Sequence, residues 1–177
     1  DRHEDLARYA HTKYSYPITY NKREFNITKY LKEGVNSLAV EIFRWSDASY
    51  LEDQDFWRLS GIERDVYVYA TNKVTVRDFK VIADLENNYK DGIFKLAVEV
   101  LNTSDVNSKR TIEIKLLDAD KIIYETSKEV NVKIGKNNID FSAKLPTIKT
   151  WTAETPNLYK LVINLKDENV VLESSAI

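Results

Sequence analysis

"GIFKLAVEVLNTSDVNSKRTIEIKLLD", residues 92–118, holds two runs of alternating apolar and polar residues joined by a polar stretch. Successive side chains of a strand point to opposite faces, so such alternation marks a strand with one face on a core and the other in water. "NTSDVNS" between the runs has the small and polar composition of a turn. The same reading extends backwards to "VTVRDFKVIADL" (74–85) and forwards to "KIIYETSKEVNVK" (121–133), "NIDFSAKL" (138–145), "LYKLVINLKD" (158–167) and "NVVLESSAI" (169–177). "DAD", "GKNN" and "KDEN" supply the intervening turns. About eight short strands in about 105 residues is the size and rhythm of an antiparallel immunoglobulin-like sandwich.

Upstream the pattern changes. "NSLAVEIFRW" (36–45) alternates, with Leu38, Val40 and Ile42 on one face and Ala39, Glu41 and Phe43 on the other, and "RDVYVYA" (64–70) reads as a further strand. Residues 1–10 suit a helix, and "NITKYLKEG" (26–34) suits one helical turn ending at Gly34. The polar "ATNK" (70–73) marks a boundary, so the expected domains are residues 1–70 and 71–177. Alone, the first should bury a poor core, because a small domain leaves too much of its surface exposed. Tyr67, Tyr69, Tyr124 and Tyr159 are expected in the core or as cross-strand partners, and Trp151 is expected to help hold the second domain at its edge. No internal repeat stands out.

Composition excludes several classes of function. Hydrophobic residues at 43%, charged residues at 31% and a formal charge of −2 describe an ordinary globular chain, with no reason to expect nucleic acid or an anionic membrane as partner. No apolar run approaches the roughly 20 residues that cross a bilayer. Without cysteine there are no disulfides or thiolate metal sites, and His3 and His11 are too few and too far apart for zinc. Asn26 and Asn102 open glycosylation-type triplets, a weak pattern. The chain starts at Asp1 and contains no methionine, so it is expected to be a piece of a longer product. The compartment stays open between cytoplasm and periplasm.

The chemistry concentrates in "RWSDASYLEDQDFWRLSG" (44–61), where Trp45, Tyr50, Phe56 and Trp57 stand among Asp47, Glu52, Asp53 and Asp55. Rings beside carboxylates suit a sugar site and equally suit a surface loop over a core. With "IERDVYVYA" after it, this stretch closely resembles the end of the sugar-binding domain of family 2 glycoside hydrolases of the β-galactosidase type. "REFNITKYLKEGVNSLAVEI" and "TWTAETPNLYKLVINLKD" resemble further segments of that family in the same order, and "HTKYSYPITYN" resembles an early one. In the family a block of jelly-roll strands follows that early segment, whereas here Asn21 runs directly into Lys22. The resemblance thus implies an all-β chain, a partial jelly-roll sandwich followed by an immunoglobulin-like one.

It also implies roles. Asp55 matches a family aspartate that contacts galactose hydroxyls and helps hold sodium, which suits a carboxylate as acceptor and hard oxygen ligand. Trp57 and Trp45 would wall that loop. Lys13 stands where the family has a sugar-binding asparagine, replacing an amide by a pure donor, and Ala48 replaces a glycine. Asp47, Glu52 and Asp53 read as salt-bridge partners of Arg44, Arg58 or Arg64. Retaining hydrolysis needs two carboxylates about 5–5.5 Å apart across the scissile bond. Asp53 and Asp55, two apart on one strand face, would sit side by side instead. The family's catalytic glutamates lie on a (β/α)8 barrel after the second domain, and this chain ends before any such pattern. The expected partners are therefore that barrel and a β-galactoside. Sodium and magnesium belong to the parent enzyme by resemblance, and the parent can be oligomeric. No catalytic residue or cofactor is expected in the chain itself. The alternative is a standalone β-sandwich carbohydrate-binding or adhesion module.

Overall fold

Residues 25–41 and 65–177 are described in the computed structural model. The chain divides into two compact units, residues 1–67 and 68–177.

The second unit holds seven strands: β1 (Val74–Glu86), β2 (Asp91–Asn102), β3 (Ser108–Asp118), β4 (Lys121–Val132), β5 (Gly135–Leu145), β6 (Tyr159–Asp167) and β7 (Val170–Ala176). They fall on the seven stretches whose alternation marks strands in the sequence. They form a three-stranded sheet, β1-β2-β5, and a four-stranded sheet, β4-β3-β6-β7, with every pairing antiparallel. This is immunoglobulin-like connectivity in which the fourth strand pairs with the third. The alternation that marks the strands also builds the core. Phe94, Leu96, Val98 and Val100 of β2 are buried, as are Ile112, Ile114 and Leu116 of β3 and Leu161, Ile163 and Leu165 of β6. Tyr124 packs against this core, with an edge-on contact to Phe94 at a centroid distance of 6.1 Å. At about 25 cal/mol per Å² of apolar surface, these central strands carry most of the unit's stabilisation.

Polar ties brace the end at which β1 begins and β2 finishes. There Asn102 is 1% exposed and fully engaged. Its Nδ2 donates to the carbonyls of Val106 (2.9 Å) and Val132 (3.2 Å), and its Oδ1 accepts from the Ser104 N–H (2.9 Å) and hydroxyl (2.6 Å). The glycosylation-type triplet at Asn102 is thus a buried structural device, its amide closed to modification in the folded chain. Between the sheets, Glu173 of β7 accepts from the Thr75 hydroxyl (2.7 Å) and the Val76 N–H (3.0 Å) of β1. The bond forms where β1 shifts register against β2, between Val76 and Asp78.

In the first unit, a 3-10 turn spans Thr28–Tyr30, and the Asn26 side chain accepts from the Thr28 N–H at 3.0 Å. The chain then bends at Gly34, whose φ of 87° favours glycine. Asn36 closes the bend: its Oδ1 accepts from Lys32 N–H (3.0 Å), and its Nδ2 donates to the carbonyls of Lys32 (2.8 Å) and Gly34 (3.0 Å). Asn137 does the same at the start of β5, bonding Lys133 N–H (2.9 Å) and the carbonyls of Lys133 (2.7 Å) and Gly135 (3.1 Å), with Gly135 at φ 90°. A K-x-G-x-N pattern therefore occurs in both units, a repeat too short to stand out in the sequence.

Two strands expected from the sequence are absent from the described residues. Residues 35–41 and 65–70 lie in no strand, and Leu38 and Val40 are 60% and 56% exposed. Alternation decides which side chains share a face; a strand exists only when another pairs with it. Tyr67 and Tyr69 are accordingly exposed and not in a core. Trp151 is also exposed, so it does not contribute to the buried core. The expected helix at 1–10 and the remainder of 36–45 lie outside the described residues.

Candidate functional site

Asp55, Trp57 and Lys13, and with them Trp45, Asp47, Ala48, Glu52 and Asp53, lie outside the described residues, as do His3 and His11. The chemistry in the described part is therefore that of the second unit. Its most perturbed carboxylate is Glu113, on the solvent face of β3, between the inward-facing Ile112 and Ile114. Register places Asn164 of β6 directly opposite Glu113 and Lys166 opposite Thr111. Lys166 Nζ donates to Glu113 Oε1, Asn164 Nδ2 donates to Oε2 at 2.7 Å, and Lys115 lies 3.4 Å away, itself paired with Glu125 at 3.0 Å.

The hydrogen bond from Lys166, reinforced by that from Asn164, pushes the Glu113 carboxyl down to about 2. Lys115 is raised by its bonds to Glu125 and then by the charge of Glu113. A general acid needs the opposite shift, toward neutrality at working pH. Glu113 is thus a fixed anion that ties β3 to β6, with Lys115 carrying the network on to Glu125 of β4, and not a proton donor. Sequence reading missed this cluster, because alternate charges on a solvent face become a network only once the β3–β6 register is known.

Because the folded pKa lies below the usual 4.5, Glu113 stabilises the fold fully above about pH 4.5 and progressively less as pH falls toward 2. Glu113→Gln should therefore flatten the acid limb of the stability curve. At neutral pH it should cost about 1–2 kcal/mol, the lower figures reflecting screening at the sheet surface. Urea denaturation at pH 3 and pH 7 checks this, and an unchanged difference between the two would remove Glu113 from the acid response.

Among the described residues no group of three or more His, Cys, Asp or Glu could hold a metal ion, and no helix is long and apolar enough to cross a membrane. Two packed antiparallel sheets with locked surface charges define a β-sandwich module of the immunoglobulin-like class. Residues 11–72 match the model of the "Glycosyl hydrolases family 2, sugar binding domain", and residues 74–176 match that of "Glycosyl hydrolases family 2". The chain belongs to glycosyl hydrolase family 2, and it comprises that family's sugar-binding and immunoglobulin-like domains.

It is 42% identical over 152 residues to a β-galactosidase of Priestia megaterium, an alignment covering 84% of this chain and 15% of that protein. To a β-galactosidase of Streptococcus thermophilus it is 41% identical over 155 residues, covering 88% and 14%. The chain thus spans about one-seventh of the length of these relatives. Among solved structures, Bacteroides uniformis β-glucuronidase 2 aligns with a TM-score of 0.65 at 18% identity, over 70% of this chain and 16% of that one. A family 2 member from Bacteroides cellulosilyticus aligns at 0.56 with 17% identity, over 60% and 15%. These two likenesses bear on the fold.

Proposed function

We propose that the chain is the non-catalytic front portion of a β-galactosidase-like hydrolase that cleaves terminal β-galactosides with retention. Its two domains buttress a catalytic barrel, and the 44–61 stretch lends Asp55 to the substrate site. The observation that carries this reading is about 40% identity to two β-galactosidases along most of the chain, in proteins of which the aligned part is 14–15%. Asp55 accepts sugar hydroxyl bonds in this reading, with Trp57 as a wall, and Lys13 alters selectivity by offering only donors. Sodium, with Asp55 as an oxygen ligand, and magnesium belong to the same proposal, as does an oligomeric parent. The domain boundary falls at about residue 70.

The test compares two preparations. The 177-residue chain should not hydrolyse nitrophenyl galactoside and should bind galactose no tighter than millimolar. One carboxylate bond nets about 1.5–3 kcal/mol, while association costs at least about 4 kcal/mol. The full-length parent, its reading frame continuing past Ile177, should turn the substrate over. Micromolar galactose binding by the short chain in calorimetry would favour a standalone carbohydrate-binding module instead.

A further inference from the structure

The edge strands of the two sheets are β1 and β5 in one, β4 and β7 in the other. An edge presents N–H and C=O groups that another strand can take up, and proteins guard such edges with charges or contacts. β4 and β5 close on each other: Lys128 of β4 donates to the Asp140 carbonyl of β5, with its ammonium 4.9 Å from the Phe141 ring. β7 is tied through Glu173 to the start of β1. Beyond that tie, β1 runs on from Asp78 to Glu86 with a strand on one side only, β2.

Backbone groups of an antiparallel strand point alternately to its two sides. The N–H groups of Phe79 and Leu85 donate to the carboxylates of the preceding Asp78 and Asp84, each at 2.8 Å, so the odd-numbered residues face away from β2. Val81 and Ala83, between these two capped donors, present their N–H and C=O groups the same way. The side chains of this stretch are open as well. Val81 is 38% and Ile82 46% exposed, although Val81 lies opposite the buried Leu96. Lys80, Ala83 and Asp84 are exposed, and among the described residues no ion pair involves Lys80 or Asp84.

We propose that this edge pairs, antiparallel and two-fold, with the β1 edge of a second copy of the chain, centred on Ile82. The stretch is self-complementary in that register. Lys80 of each copy faces Asp84 of the other, Ile82 faces Ile82 on the outer surface, and Val81 faces Ala83 on the inner one. Asp84 exchanges its bond to the Leu85 N–H for the other copy's lysine, and the Phe79 carbonyl of that copy takes up the N–H. Sliding one copy by two residues would set Asp84 against Asp78 or against Ile82, so the charges select one register. At the margin Asp78 meets Glu86, whose charge is already offset by Lys144 at 2.9 Å, and this confines the pairing to residues 79–85. A standard interface uses about 20–30 residues a side, so this smaller contact makes a weak dimer, with a micromolar dissociation constant. The pairing goes beyond the functional reading and does not rest on it, because every group it uses lies in β1.

Sedimentation velocity on the 177-residue chain, across micromolar and submillimolar concentrations, should show a monomer–dimer equilibrium. Lys80→Glu and Asp84→Lys should each weaken it about tenfold or more, since each makes both charge pairs repulsive. An equimolar mixture of the two variants should dimerise as the unaltered chain does. There the two substituted positions face each other with opposite charge, and Lys80 of one variant meets Asp84 of the other. Amide exchange at Val81 and Ala83 should slow about tenfold on raising the concentration, as edge groups become paired. A monomer at every concentration, or a dimer that neither substitution weakens and the mixture does not restore, overturns the pairing. Neither result touches the functional reading, which galactoside hydrolysis by the parent tests separately.

Discussion

Asn102→Ala should destabilise the second unit by about 3–4 kcal/mol, far more than a surface asparagine would. The amide makes four bonds from a position that is 1% exposed, and alanine restores none of them. The Val132 carbonyl lies beside a buried side chain, so water cannot readily take the place of the lost donor. The loop between β2 and β3 would also lose its link to the end of β4, at the entrance to β5. Ser104→Ala removes only one of the four bonds and should cost about 1 kcal/mol. Urea midpoints of the two variants separate the cases. Similar small losses in both would show that the amide is replaced by solvent.

In the full-length parent, Asp55→Asn should lower kcat/KM by roughly 30–150-fold, while Asp53→Asn should change it less than about threefold. The larger figure corresponds to about 2–3 kcal/mol, the worth of charge-assisted hydroxyl bonds in a closed site. Asparagine keeps the shape of aspartate but gives up an acceptor oxygen and the charge that favours a sodium ion. Asp53, two positions away, is expected to serve a salt bridge within the loop. Steady-state kinetics on purified variants of equal thermal stability decides the matter, and equal effects of the two substitutions would withdraw the role given to Asp55.

The sandwich was legible because its strands bury one face, which stamps an apolar period of two on the sequence, as in Phe94, Leu96, Val98 and Val100. The same period misled at residues 36–41 and 65–70. Leu38 and Val40 alternate as Ile139 and Phe141 do, and both pairs follow a K-x-G-x-N bend. Among the described residues only the second pair lies in a strand, β5 against β2. Periodicity carries no information about the partner. The triplet at Asn102 is weak as a signal for a similar reason, since a local pattern does not register burial. As to the candidate sugar site, family resemblance and not local physics singles out Asp55 from the carboxylates beside it. The Glu113 network was invisible until two strands far apart in sequence were set in register.

Seven is an odd number of strands, so the chain enters the sandwich at one end, at Val74, and leaves it at the other, at Ile177. Tension along the polypeptide would draw β1 and β7 in opposite directions along their lengths. The Glu173 bonds to Thr75 and Val76 join those two strands across that line of force, and the antiparallel ladders beside them would be loaded in shear, many bonds at once, not peeled open singly. A unit built this way is a stiff spacer. It transmits a pull or a push between its two termini with little give, holding their separation at the length of its strands.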